Sequence, residues 1–158
     1  MSIKSMYHMK KLVLLATCGA VVVLTAPALR AAQVVKLTQV PCQFLESEGG
    51  VNRGYTSRSI KDCEVINEKS GQQRVAQAKP LVLKPGKYVF RVVNKNVPYD
   101  LGFWLRGASL GSRITLPSVS GGGITPGSMH DYEIDLKPGE YVYSCPLNNT
   151  PDYKLVVK

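Results

Sequence analysis

Residues 129–146 read MHDYEIDLKPGEYVYSCP. Tyr132, Ile134 and Leu136 alternate with Asp131, Glu133 and Asp135, the period-two pattern of a strand with one buried and one wet face. Lys137-Pro138-Gly139 interrupts the run with turn chemistry, because proline fixes φ and glycine reaches backbone regions other residues avoid. Tyr141, Tyr143 and Cys145 then share one face of a second strand. The stretch reads as strand, turn, strand, ending in a cysteine followed at once by Pro146. It has an echo: LKPGEYVY at 136–143 repeats LKPGKYVF at 83–90. Two copies suit a pair of hairpins in a Greek-key sandwich and are too few for a solenoid.

Working outward, VPYDLGFWLRG (97–107) and DYKLVVK (152–158) read as further strands, and QVVKLTQV (33–40) as the first. Residues 108–128 are expected to be a long connection with one short strand about Arg113 to Leu116, and SVSGGGITPG (118–127) a flexible part of it. Its glycines lead into no helix and lack a following Lys-Ser/Thr, so a phosphate cradle is excluded. TSRSIKDCEVINEKSG (56–71) predicts a short surface helix, capped by Thr56, Ser57 or Ser59 and ended by Gly71, with Ile60, Cys63 and Ile66 on its stripe. The fold class is therefore all-β, a Greek-key β-sandwich with a short helical insertion near the N-terminus.

The first 31 residues predict a secretory leader: Lys10 and Lys11, an apolar run from Leu12 to Leu24, then small residues at Ala26, Ala28 and Ala31. Met9 is an equally good start. Cys18 sits in a poor lipobox, with Thr17 before it and apolar residues continuing after it, so a lipid anchor there is not expected. The expected location is the bacterial periplasm or the exterior, with one domain over 32–158 and an insertion at 41–79. The chain carries +9, and removing four leader cations leaves about +5, scattered enough to read as solvated surface. No nucleic-acid motif is present, and the remaining chain has no transmembrane stretch. Of the three cysteines left, Cys42 and Cys63 are neighbours in an irregular region and predict a disulfide. Closing a loop of about 20 residues stabilises by about 3 kcal/mol in the chain-entropy picture. Cys145 is the odd thiol.

Strand order, the spacing of LKPGKYVFRVVNKNVPYDLGF, ITPGSMHDYEIDLKPGEYVYSCP and YKLVVK, and their turn chemistry together resemble the cupredoxin family, over about Leu81 to Lys158. The resemblance implies a type 1 copper site of two histidines, a cysteine and a weak axial group. Only Cys145 stands at its expected position. Tyr99 takes the place of the first histidine, Asn148 or Asn149 that of the second, and Pro151 or Asp152 that of the axial methionine. One thiolate with a phenol and an amide does not make a blue-copper electron carrier.

His130 is the only histidine outside the leader. Folding 129–147 as a hairpin sets Cys145 opposite Tyr132 and His130 opposite Leu147, with Cys145 and His130 on one face. Cys145, His130 and Met129 are thus the candidate copper ligands. Asp131, Glu133 and Asp135 read as a solvated strand face, and no catalytic set emerges. Trp104 and Arg106 point outward from their strand, so that face needs cover from the insertion or from a partner. The sequence reads as a non-enzymatic envelope protein, a binding or accessory subunit with an unknown protein partner and no cofactor. The alternative is a copper-binding protein using Cys145 and His130.

Overall fold

The computed structural model describes residues 31–158. The expected leader, the start at Met9 and the Cys18 question lie outside these residues.

Nine strands among the described residues form two sheets. The first sheet orders β2 (Gln43–Phe44), β1 (Gln33–Val40), β4 (Gly86–Asn94) and β7 (Met129–Leu136). The second orders β3 (Leu81–Leu83), β9 (Tyr153–Val157), β8 (Gly139–Ser144), β5 (Leu101–Gly107) and β6 (Val119–Ile124). β1 runs parallel to β4 and β3 parallel to β9; the other pairings are antiparallel. Inward residues of both sheets meet in one aromatic core of Phe44, Phe90, Phe103, Tyr132, Tyr143 and Tyr153, with Leu101, Leu105, Ile124 and Leu155 between them. Phe103 lies at its centre, with ring centroids 5.6 Å from Phe90, 5.2 Å from Tyr132 and 6.2 Å from Tyr143. Asp131, Glu133 and Asp135 are exposed, as the alternation requires.

The repeated Lys-Pro-Gly segments are not hairpins. β7 and β8 belong to different sheets, as do β3 and β4. Each repeat is an arch carrying the chain from one sheet to the other. The two arches share a device: Gly86 and Gly139 take φ of 140° and 154°, which glycine tolerates best. Four residues beyond each lysine, a tyrosine hydroxyl donates back to the lysine carbonyl, Tyr88 to Lys84 at 3.0 Å and Tyr141 to Lys137 at 2.9 Å. Alternation fixes which face is buried, not which strand lies alongside, so the arch and the hairpin share one sequence signature. The consequence is direct: His130 lies across from Val92 of β4 and not across from Leu147.

Four further expectations are corrected. No strand forms at 113–116; Leu110–Thr115 is a short helix, α2, capped by Ser109. The glycine run is the strand, β6, paired with β5. Glycine is required there sterically, because a Cβ on Gly121 would stand 2.9 Å from the Tyr132 ring. The helix at 60–77, α1 (Ile60–Gln77), is long rather than short. Gly71 does not end it. That residue is buried mid-helix against Pro151, where a Cβ would come within 3.5 Å. Ser59 is the N-cap, and the Asp62 carboxylate accepts from the N–H groups of Arg58 and Ser59, the reciprocal arrangement of a capping box. The buried face runs through Cys63, Gly71 and Arg74 and leaves Ile60 42% exposed. It was hidden because it is mostly polar.

Candidate functional site

The site lies at the end of the sandwich where β8 finishes and the 41–79 segment closes over the core. β8 delivers Cys145 from the same alternation that buries Tyr141 and Tyr143. A 3-10 turn at Pro146–Asn148 follows, with proline at its first position where a missing N–H costs nothing. Cys145 is fully buried, and its Sγ accepts from the Gly102 N–H at 3.3 Å. Its own N–H donates to Thr150 Oγ1 at 2.8 Å. Burial pushes the thiol pKa up. The N–H groups of Gly102, Asn148 and Leu147 and the Gln39 amide pull it back only in part. Gln39, at the inward parity of Leu37 on β1, is fully buried and donates to the Gly102 carbonyl at 2.8 Å.

Asn148 is committed to structure. Its Oδ1 accepts from the Cys42 N–H at 2.9 Å, and its Nδ2 donates to the Val40 carbonyl at 2.9 Å and to Gln39 Oε1 at 3.4 Å. Tyr99 is held in place by Asn94, whose amide donates to the Tyr99 carbonyl at 3.0 Å. The Tyr99 hydroxyl donates to the Ser59 carbonyl at 3.2 Å and lies 3.0 Å from Ser57 Oγ. Burial first, then the neighbouring Cys145, raises its pKa despite the Ser57 hydrogen bond. The expected Cys42–Cys63 disulfide is present and fully buried. Cys63 Sγ sits 3.3 Å from Asn148 Oδ1 and 3.7 Å from the Tyr99 hydroxyl. The phenol, the amide, the thiol and the disulfide therefore gather at one end of the sandwich, with the segment 41–79 as its cover. Pro151 packs on Gly71 and faces the helix.

The other candidates are placed apart from this cluster's hydrogen bonds. His130 is exposed and stacks on Tyr132, ring centroids 5.1 Å apart, and Met129 is 59% exposed. His130 does share the parity of Tyr132, as expected, although through pairing with β4. Among the described residues no three His, Cys, Asp or Glu side chains come together as a ligand set. The residues around Cys145 do not fit a type 1 copper: its neighbours are amide donors, and the Asn148 oxygen is already taken by a backbone N–H. Trp104 is 37% exposed, and the Arg106 guanidinium lies 3.8 Å over its ring. Arg106 in turn holds Asp152 through two contacts of 2.8 Å and donates to Ser144 at 3.1 Å.

One cluster went unread in the sequence. Glu48 and Arg74 form a buried ion pair, 2.8 Å apart, with side chains 1% and 2% exposed. The Glu48 carboxylate also accepts from Tyr153 and Arg53 at 2.6 Å each. Burial would raise the Glu48 pKa, but the hydrogen bonds from Arg74, Tyr153 and Arg53 outweigh it and leave the carboxyl below its ordinary range. Arg74 donates onward to the Cys42 carbonyl at 2.9 Å. Asn148 on one side and Arg74 on the other thus hold Cys42 in its left-handed conformation, φ 66°, which a non-glycine residue keeps only when its surroundings over-determine it. A glutamate in a glycine-bounded loop and an arginine in a polar helix carry no hydrophobic period, so no signal marked the pair.

No family model matches the chain, and no curated protein sequence does. Among solved structures, auracyanin B is 13% identical over 86% of this chain and 93% of that one, with a TM-score of 0.49. Auracyanin A, a "blue" copper protein from the green thermophilic photosynthetic bacterium Chloroflexus aurantiacus, is 12% identical over 81% of this chain and 100% of that one, at 0.42. Reduced rusticyanin is 16% identical over 82% of each chain, also at 0.42. At these scores the likenesses carry no argument of their own, and the architecture rests on the strand order and register of this chain.

Proposed function

We propose that the protein is an exported, non-enzymatic binding or accessory subunit of the bacterial envelope, built on a cupredoxin-like sandwich whose cysteine at the end of β8 serves as a core residue. The observation that carries this reading is the surroundings of Cys145: a buried thiol, its pKa raised, enclosed by amide N–H donors and sealed by a disulfide. A thiol in that setting is poorly nucleophilic and poorly disposed to ligate. The disulfide and the leader-like N-terminus support an oxidising compartment. No helix among the described residues is long and apolar enough to cross a membrane. The outward Trp104 ring under Arg106 is the surface proposed to meet a protein partner.

A second reading keeps copper, through Cys145 and His130 with Met129 nearby. The observation in its favour is that His130 stacks on Tyr132, whose hydroxyl pKa is pushed up first by burial and second by the neighbouring Cys145. The two readings separate on titration with Cu(I) and with Cu(II), following bound metal and the visible spectrum. The accessory reading expects less than stoichiometric binding and no colour. Stoichiometric binding that is lost in Cys145→Ala or His130→Ala overturns it. Retention of envelope proteins by the wild type and not by Trp104→Ala tests the partner surface.

A further inference from the structure

The end of the sandwich opposite Cys145 carries a feature with no role so far. Leu110 and Ile114 of α2 are 80% and 86% exposed, one helical turn apart and so on one face. α2 sits at the arch end of the fold. Leu116 packs where a Cβ on Gly139 would stand 2.7 Å away, and the Ala108 N–H donates to the Glu140 carbonyl at 3.0 Å. The two arches lie side by side, since Gly86 pairs with Leu136. This brings Lys84 and Lys137, both exposed, to the same end of the fold as the helix that carries the exposed Arg113. None of these three cations is in an ion pair among the described residues. The acidic groups at this end are Asp135, which lies across from Lys87, and Glu140 on the outer face of β8. β1 also starts here: Gln33 donates to the Tyr88 hydroxyl, which donates to Lys84.

We infer that the arch end is a docking face for an anionic lipid surface, with Leu110 and Ile114 as apolar anchors and Lys84, Lys137 and Arg113 as the basic rim. Two solvent-exposed aliphatic side chains at the same end as three exposed cations outside any ion pair match the boundary of a bilayer, where apolar groups enter the acyl layer and cations meet headgroups. Each lysine or arginine near an anionic surface contributes attraction, so the binding is weak, reversible and salt-sensitive.

The test is vesicle sedimentation with the protein purified in the form the cell accumulates. Vesicles of phosphatidylcholine are compared with vesicles in which about one lipid in four is phosphatidylglycerol. The expected result is about tenfold stronger partitioning to the anionic vesicles, abolished by high salt. Leu110→Ser/Ile114→Ser is expected to weaken partitioning about tenfold, and Lys84→Glu/Lys137→Glu to remove the anionic preference. Because all four side chains are exposed, circular dichroism should be unchanged. Equal partitioning to both vesicle types, or binding unaltered in either variant, overturns the inference. So does light scattering that shows a wild-type dimer turned to monomer by Leu110→Ser/Ile114→Ser, which would assign this face to a second copy of the chain.

Discussion

Between the sheets, Phe44, Phe90, Phe103 and Tyr143 pack ring against ring with their neighbours. Beneath the 41–79 segment, the contacts are a disulfide, a buried Glu48–Arg74 pair and the amides of Asn67 and Asn148. Both regions are buried, but they are stabilised differently. An apolar core gains roughly in proportion to area removed from water and tolerates acid. A buried polar seam stands or falls on complete pairing, since a charge left without its partner keeps the whole desolvation penalty. The seam is also where the Cys145 neighbourhood is closed, so its integrity should control access to the one free thiol among the described residues.

The largest effect should come from splitting the ion pair. Glu48→Gln leaves Arg74 buried without its counter-charge and is expected to cost about 3–5 kcal/mol in urea unfolding near neutral pH. Phe103→Ala, which empties the centre of the aromatic core, is expected to cost about 3–5 kcal/mol as well. What distinguishes them is pH. The folded Glu48 carboxyl lies below its ordinary value of 4.5, so its contribution is present above that value and is lost as pH falls through the folded pKa. Wild type and Glu48→Gln should therefore converge in acid, whereas the Phe103→Ala deficit should persist. Parallel curves would remove the distinction between core and seam.

Next in size is the disulfide. Replacing both Cys42 and Cys63 by alanine should lower stability by about 3 kcal/mol. It should also speed modification of Cys145 by a thiol reagent far more than an equally destabilising core substitution does. If both speed labelling alike, the thiol is reached through global unfolding and the seam is no special barrier.

The contrast also explains what could be read in the amino-acid order. Alternation in MHDYEIDL and EYVYSC marked the buried faces, because strands pair period two with burial. It could not say that Lys-Pro-Gly leads across to the other sheet, because an arch and a hairpin need the same turn residues. The strand VSGGGI reads as a connection, since glycine there answers a close approach by Tyr132 and not a propensity. Tyr99 and Asn148 were placed at the Cys145 end by their spacing in the resemblance. Gln39, Asn94, Glu48 and Arg74 were not, because a polar residue satisfied by distant partners leaves no local trace. Gln39 is the nearest to being legible, as a polar residue two positions from Leu37 at its inward parity.

The smallest effects belong to the arches, which sit between the two regimes: buried rings with a single polar tip each. Tyr88 and Tyr141 are 3% and 1% exposed, so Tyr→Phe at either keeps the packing and deletes one hydroxyl. Each deletion strands the carbonyl of its lysine, and the net worth of such a bond is about 1 kcal/mol. Tyr141→Phe should cost more than Tyr88→Phe, because the Tyr141 hydroxyl also accepts from the Lys137 N–H at 3.2 Å and its loss unpairs two groups. The Tyr88 hydroxyl accepts instead from Gln33, an exposed side chain that water can satisfy. Chemical denaturation of the two variants resolves a difference of that order. Equal costs would mean that the Lys137 N–H finds water once the hydroxyl is gone, and that the second arch is wetter than its buried tyrosine implies.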